Sequence, residues 1–170
     1  MPILSKQEQS SFLHERGIIM RLAVVRSDGS PLLAPVWFLH ENGRIYFTPR
    51  EHSEWFSCLK LDSRISLCID EATLPYRKII MEGNAELAFD IGEDAEWRDL
   101  YGRIVRRYIS PEEANAYIRN TIDQPRALYS LQLLESKIKS WRMPSAGEDP
   151  SGIWHRKYYK KGSKYSKLVN

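Results

Sequence analysis

The sequence predicts a mainly β domain with added α-helices, in which six antiparallel strands form a small barrel and the helices flank it. Segments that alternate apolar and polar residues recur along the chain, and this period of two is typical of strands. Turn signals separate several of these segments, and a helical stretch precedes the last one. A chain of 170 residues, 42% of them hydrophobic, is long enough for one domain with a substantial core.

The first part of the chain is predicted to contain a helix, three strands and a second helix. Ser5 and Glu8 have the spacing of a capping box, so a short helix begins there and ends near Gly17. Asn42-Gly43 is the strongest hairpin signal in the sequence, and Ser53 is positioned to cap the next helix. The three strands are predicted over residues 18–26, 32–40 and 44–48, with Pro31 delaying the start of the second.

The second part is predicted to contain three further strands and two helices. Gly83 lies inside one of the strands and indicates a bulge or a bend. The apolar stripe that begins at Trp97 has helical spacing and is interpreted as core. A second helix begins at Ser110-Pro111-Glu112-Glu113, which combines a capping residue with a proline in the first turn. The strands are predicted over residues 64–70, 76–89 and 127–141.

Charge is distributed unevenly along the chain. The net charge is +3, but residues 154–170 hold six lysines and arginines and no acid, so the remainder is mildly acidic. We therefore expect one domain over residues 1–142, followed by a loop and a basic tail of the same domain over residues 143–170.

We expect a cytoplasmic protein with no membrane span, because no apolar run is long enough and the N-terminus lacks the apolar core of a signal peptide. Cys58 and Cys68 are interpreted as reduced thiols, and no metal site is expected.

The segment between the third strand and the following helix is a candidate phosphate site. It reads Thr48-Pro49-Arg50-Glu51-His52-Ser53 and gathers two hydroxyl groups, a guanidinium and an imidazole. The helix that follows Ser53 offers free backbone N–H groups with partial positive charge, which favour bound anions. The alternative is an ordinary polar loop in which Ser53 is a plain helix cap.

Several short motifs occur in a specific order and spacing along the chain. They are Pro35-Val36-Trp37-Phe38, the Asn42-Gly43 turn, Ile45-Tyr46-Phe47-Thr48, Ser53, Asp62-Ser63-Arg64, Tyr76-Arg77-Lys78, Glu82-Gly83-Asn84-Ala85 and Ser140-Trp141-Arg142. Over roughly residues 5–142, this arrangement resembles the pyridoxamine 5'-phosphate oxidase-like family of FMN-binding proteins. The resemblance implies a six-stranded antiparallel split β-barrel with flanking helices and a homodimer whose two subunits share the cofactor site.

The resemblance also implies roles for particular residues. Thr48 and Ser53 would bond the FMN phosphate. Arg50 and His52 are candidates from this sequence to replace the positive charge of the basic pair that the family commonly has after the serine. Further roles follow for residues beside the ring: Val36 and Trp37 would run along it, Lys78 would lie near its polar edge, and Trp141 and Arg142 would reach the partner's flavin. The family commonly has Arg-Lys after the serine, where this chain has Glu54-Trp55. True pyridoxamine phosphate oxidases also have a substrate-binding arginine two places before a histidine near the C-terminus. This chain lacks an arginine two places before His155, so pyridoxamine phosphate is not the expected substrate.

The leading functional hypothesis is an FMN-dependent oxidoreductase that acts on a small molecule. Catalytic side chains are not assigned, because the cofactor carries out the difficult chemistry in such enzymes. One alternative is a reductase that uses a deazaflavin on the same fold. Another is a non-catalytic module that binds flavin or another ligand, which Glu54-Trp55 favours. Nucleic-acid binding through the aromatic and basic tail is the least favoured hypothesis, because the rest of the chain is acidic.

Overall fold

The computed structural model describes residues 1–148 together with residues 162 and 164. In this part of the chain, nine β-strands form two antiparallel sheets, accompanied by four α-helices. The strands are β1 (Met20–Val25), β2 (Pro31–Val36), β3 (Phe38–Glu41), β4 (Arg44–Phe47), β5 (Arg64–Asp70), β6 (Lys78–Asn84), β7 (Glu86–Phe89), β8 (Leu128–Gln132) and β9 (Lys137–Trp141). The helices are α1 (Lys6–His14), α2 (Glu54–Leu61), α3 (Arg98–Arg106) and α4 (Pro111–Asn120).

The five-stranded sheet has the order β2-β1-β5-β6-β9, and the four-stranded sheet has the order β3-β4-β8-β7. The sequence predicts six strands, and the count differs because three of those strands change sheet. In each case the first half pairs in one sheet and the second half in the other. The predicted strands 32–40, 76–89 and 127–141 are interrupted at Trp37, at Ala85 and at a 3-10 turn over Leu133–Glu135.

A single core cluster joins both sheets and helices α1 and α2. In β5, Ile65, Leu67 and Ile69 are buried while the residues between them face outward, as the period of two predicts. Each such side chain contributes roughly 1.5–3 kcal/mol on burial. The alternation therefore fixes which face of this central strand meets the core.

The two capping boxes that the sequence predicts are confirmed at the starts of α1 and α4. Ser5 Oγ accepts a hydrogen bond from the Glu8 N–H (3.2 Å), while the Glu8 carboxylate accepts one from the Ser5 N–H (2.8 Å). Ser110 and Glu113 repeat this arrangement at the start of α4. Both capping boxes satisfy backbone donors that a helix leaves unpaired in its first turn.

Two turn predictions have different outcomes. Asn42 and Gly43 both have positive φ (51° and 72°), as a two-residue hairpin turn requires. Pro31, in contrast, begins β2 and pairs with Val25 instead of preceding the strand. The ladder tolerates this proline because β2 is an edge strand and one side of it lacks a neighbour.

Helices α3 and α4 form a second apolar cluster over the four-stranded sheet. The cluster is centred on Trp97, Tyr101, Val105, Ala114 and Leu128, which are all buried. The helical spacing of the stripe after Trp97 thus predicts its burial correctly. Trp37 and Tyr46 pack against the cluster from the sheet.

The basic tail and His155 lie outside the described residues, except for residues 162 and 164. In the part that is described, none of the helices has both the length and the apolar character required to cross a bilayer.

Gly83 is required by close packing between the sheets and does not form a bulge, because it pairs in register with Ile65. A Cβ atom on Gly83 would lie 2.8 Å from Leu131 Cδ1, and Leu131 is itself buried in the core. We predict that Gly83→Ala lowers the free energy of unfolding by about 1–3 kcal/mol, the usual cost of overpacking a core. Urea-induced unfolding measures this change.

Gly102→Ala is the matched control for this prediction. A Cβ atom there would also meet another atom at 2.8 Å, but that atom is Arg106 Nη1, at the free end of an exposed side chain. Alanine is favoured over glycine inside a helix by about 1 kcal/mol. Gly102→Ala should therefore leave stability unchanged or raise it, and an equal loss in both variants would contradict this account of Gly83.

Candidate functional site

The loop between β4 and α2 is joined by backbone hydrogen bonds to the segment that leads into β8. The Glu51 N–H donates to the Pro125 carbonyl (3.0 Å), and the Ala127 N–H donates to the Pro49 carbonyl (3.2 Å). Arg50 and Arg126 face each other in this isolated antiparallel bridge. The bridge holds the predicted phosphate loop against a segment that is distant in sequence.

Ser53 occupies the N-cap position of α2, but its side chain does not cap the helix. Its hydroxyl donates instead to the Arg50 carbonyl (2.8 Å), so the prediction of a side-chain cap is wrong. The Ser53 N–H also donates to this carbonyl oxygen (3.0 Å), so both groups of Ser53 close the turn that begins at Arg50. Among the described residues, the N–H groups of Glu54 and Trp55 have no acceptor, as expected for a first turn without a cap.

Glu54 and Trp55 both point toward structural partners. The Glu54 carboxylate accepts a hydrogen bond from Arg26 Nε (2.6 Å). The indole of Trp55 packs against the core, with its ring centroid 6.2 Å from that of Phe47. The negative charge that follows Ser53 is therefore paired with a cation on the side of β1.

A cavity of about 200 Å³ lies at the corner where the chain passes from β2 to β3. It gathers three of the predicted site residues, Val36, Trp37 and Thr48. The indole of Trp37 is held in place by Tyr108, on which it stacks with ring centroids 5.0 Å apart. The remaining lining residues are Pro35, Tyr101, Ile104, Tyr117 and Arg126.

Two arginines converge on one tyrosine at this cavity. Tyr117 Oη accepts hydrogen bonds from Arg50 Nη2 (3.1 Å) and from Arg126 Nη2 (3.4 Å). Burial opposes ionisation of Tyr117, but the hydrogen bond from Arg50 and the positive charges of both arginines lower its pKa. Burial raises the pKa of the neighbouring Tyr101 to about 12. The site is thus electropositive, with Tyr101 kept as a neutral phenol.

His52 does not contribute to the cavity. Its side chain is 93% exposed and lies 3.9 Å from the Glu51 carboxylate. Within residues 1–148 there is also no group of three or more histidine, cysteine or acidic side chains arranged to hold a metal ion.

Lys78 and Trp141 form a separate pair on the outward face of the five-stranded sheet. They are opposite each other in the ladder between β6 and β9, and Lys78 Nζ lies 5.6 Å from the centre of the Trp141 ring. They share this face with Leu33, which is 64% exposed. The face also carries Asp70 and Glu82, so in the described part of the chain it presents apolar groups together with charges of both signs.

Arg142 is held by carboxylates of its own chain. Its guanidinium donates two hydrogen bonds to Glu148 (2.6 and 2.8 Å) and one to Glu8 (3.2 Å). These bonds lower the pKa of Glu148 to about 2. The arginine thereby ties the end of β9 to helix α1 and to the segment that follows.

The sequence profile of pyridoxamine 5'-phosphate oxidase matches residues 5–143 of this chain. The chain belongs to the pyridoxamine 5'-phosphate oxidase family. This confirms the resemblance drawn from the short motifs. No curated protein gives a significant match to the sequence.

Solved structures share the fold of this family member at low sequence identity. A conserved hypothetical protein from Mycobacterium tuberculosis has a TM-score of 0.67 and 22% identity, over 82% of this chain and 86% of that protein. A FAD-binding protein from Mesorhizobium loti has a TM-score of 0.61 and 16% identity, over 84% and 98%. A protein named F420 reductase has a TM-score of 0.56 and 22% identity, over 76% and 94%.

The family motifs do not include Tyr101, Tyr117 or Arg126, which line the cavity together. Helical spacing assigns Tyr101 to the core, and the structure shows that a core residue of this helix also borders the cavity. A weak signal for Arg126 is present, because period-two spacing puts it on the same strand face as Leu128, toward the α3–α4 cluster.

We predict that Arg142→Gln raises the pKa of Glu148 from about 2 toward its ordinary value of 4.5. A carboxyl group with a lowered pKa in the folded state adds stability above its ordinary pKa, and this stability is lost as the pH falls toward 2. The variant should therefore lose less stability on acidification than the wild type. NMR titration of the Glu148 carboxyl carbon measures the pKa.

Glu8→Gln is the control, because glutamine preserves the capping box and leaves both bonds between Arg142 and Glu148 in place. The pKa of Glu148 should stay low in this variant. An unchanged pKa in Arg142→Gln would show that Arg142 does not hold Glu148 in solution.

Proposed function

We propose that this protein binds a flavin and acts as a flavin-dependent oxidoreductase on a small molecule, with FMN as the cofactor and a deazaflavin as the alternative. The observation that carries the proposal is the family match over residues 5–143, which includes the whole candidate site. The names of two structures with the same fold, a FAD-binding protein and an F420 reductase, agree with a flavin.

The residues around the loop fit a phosphorylated ring compound. Thr48 borders the cavity without a hydrogen-bond partner among the described residues, and Arg126 adds a buried positive charge. The unpaired N–H groups at the start of α2 are donors of the kind that bind phosphate at helix N-termini. In this proposal Thr48 and Ser53 bond the phosphate, while Val36 and Trp37 lie beside the ring.

When bound, the flavin supplies the redox chemistry. The side chains of this chain then have the task of positioning it and excluding water. Trp37 is suited to this task because Tyr108 holds its ring in one orientation. Lys78 provides a positive charge for the polar edge of the ring, and Trp141 beside it presents an aromatic surface.

We further propose a homodimer with the cofactor site at the subunit interface, formed by a domain over residues 1–142. The outward face of the five-stranded sheet supports this, because it carries exposed Leu33 on the edge strand β2 and the pair Lys78 and Trp141 at the opposite edge, on β6 and β9. Arg142 would reach the partner's flavin only after exchanging its bonds with Glu8 and Glu148.

The second candidate is a non-catalytic member of the family that binds a ligand without turnover. Glu54 and Trp55 favour it, since neither side chain supplies the positive charge of the usual basic pair. The two candidates differ in whether a bound flavin is reduced by an electron donor.

We predict that the purified protein takes up about one FMN per chain. Uptake quenches flavin fluorescence, and the bound cofactor gives a yellow absorption spectrum that bleaches on reduction. Titration with a deazaflavin under the same conditions compares the two cofactors. A colourless protein that quenches neither compound would contradict flavin binding, and a bound flavin that no donor reduces would favour the non-catalytic candidate.

We predict that Arg26→Gln weakens FMN binding by roughly two- to fivefold at low salt. The substitution releases the Glu54 carboxylate from its partner, and a free carboxylate near the phosphate repels it with the strength of an exposed charge pair. Added salt should reduce the difference because it screens exposed charges. Fluorescence titration at two salt concentrations measures both effects.

The double variant Arg26→Gln/Glu54→Gln is the control for this effect. Removal of the released carboxylate should restore the affinity of the wild type. If the double variant binds FMN as weakly as Arg26→Gln alone, repulsion by Glu54 is not the cause.

A further inference from the structure

Arg126 is a buried cation with unused hydrogen-bonding capacity. It is only 6% exposed, and its Nε atom has no hydrogen-bond partner among the described residues. Its guanidinium lies 4.9 Å from the centre of the Tyr101 ring, and Nη2 reaches Tyr117. These contacts only partly replace the water that a guanidinium loses on burial, and such a loss is costly when no anion compensates for it.

No carboxylate in the described structure pairs with this guanidinium. The Asp94 carboxylate does bond to Arg126, but it accepts the backbone N–H (3.1 Å) and not a side-chain nitrogen. None of the residues that line the cavity is acidic. The positive charges of Arg126 and Arg50 thus remain uncompensated on this side of the loop.

Other donors border the same cavity. Tyr101 Oη is buried and has no hydrogen-bond partner in residues 1–148. Thr48, directly after β4, also lines the cavity. Tyr117 accepts hydrogen bonds from both arginines, and its hydroxyl group still has one hydrogen to donate. Hydroxyl donors around a buried guanidinium are complementary to an oxyanion.

The size of the cavity limits what it holds. Pockets that enclose a whole drug-sized ligand usually measure about 300–1,000 Å³, and this one measures about 200 Å³. A water molecule occupies about 30 Å³ in the liquid. The cavity therefore has room for a phosphate or carboxylate group but not for an entire flavin.

We propose that Arg126 is the buried cation of an oxyanion subsite in this cavity, and that the oxyanion it binds is the phosphate group of the flavin. The assignment of the phosphate rests on the proposed function, whereas the oxyanion subsite does not. In this arrangement Arg126, which lies in the segment before β8, provides the positive charge that is missing because Glu54 and Trp55 replace the usual basic pair.

The test compares FMN with riboflavin, which lacks the phosphate, and includes inorganic phosphate as a separate probe. Affinities are measured by flavin fluorescence quenching and by calorimetry at constant ionic strength. Arg126→Gln should weaken the binding of FMN and of inorganic phosphate by about 10- to 100-fold, the effect of losing a charged hydrogen bond. The affinity for riboflavin should be unchanged. Arg119→Gln removes an exposed arginine of α4 that does not line the cavity, and should change none of the three.

Thr48→Val provides an independent variant, because it removes a hydroxyl group without changing side-chain shape. Thr48→Val should weaken the binding of FMN and of phosphate by about 3- to 10-fold. This test remains available if Arg126→Gln does not fold. If the wild type binds no flavin but binds phosphate in a manner that depends on Arg126 or Thr48, flavin binding is wrong. The oxyanion subsite is then supported as a site for an oxyanion of the substrate. Equal affinities of wild type and both variants for phosphate and FMN, or equal losses for FMN and riboflavin, would overturn the proposal.

Discussion

Trp37 lies where the chain leaves the edge of the five-stranded sheet and enters the four-stranded sheet. At this corner the residue belongs to neither hydrogen-bonded ladder, so its indole turns toward helix α4 and the residues after α3, where it meets Tyr108 and Tyr117. The helices cover the corner without filling it, and the cavity is the space that remains. The candidate site therefore depends on the change of sheet, which brings Thr48 and the helical pair to the same opening.

The electrostatics of the opening follow from how its charges are fixed. Backbone bonds hold Arg126 in place: Asp94 accepts its N–H, and the adjacent Ala127 bonds to Pro49. Ion pairing of the side chain is not required to position it. Two guanidinium groups that share the Tyr117 oxygen carry like charges and repel each other, and water at the exposed Arg50 screens part of this repulsion. A bound anion relieves this repulsion, so the arrangement of charges at the site favours a negatively charged ligand.

The parts of the fold that the sequence predicts are those set by neighbouring residues. Ser5 and Ser110 cap their helices, and Asn42-Gly43 forms the hairpin turn, because each depends on contacts within three or four residues. The breaks within three long strands are not predicted, because each depends on which distant strand a segment pairs with, and a period of two in the sequence does not show which sheet that segment joins. The prediction of a helix cap at Ser53 is wrong for a related reason. The type of this residue permits a cap, but its hydroxyl is directed toward the Arg50 carbonyl, to which it donates, and accepts no N–H of α2.

The candidate site itself is only half predictable, and Glu54 and Trp55 show why. Sequence comparison identifies the loop and notes that a basic pair is missing from it. The structure shows that both positions serve the fold, one through Arg26 and the other through Phe47. Coulomb interactions depend on distance and surroundings, not on separation along the chain. Arg126 and Thr48 line the same cavity although they are far apart in the sequence, and a motif of neighbouring residues does not include such a pair. Whether such a site retains affinity for an anion is decided by the charges that border the opening, and in this chain they are positive.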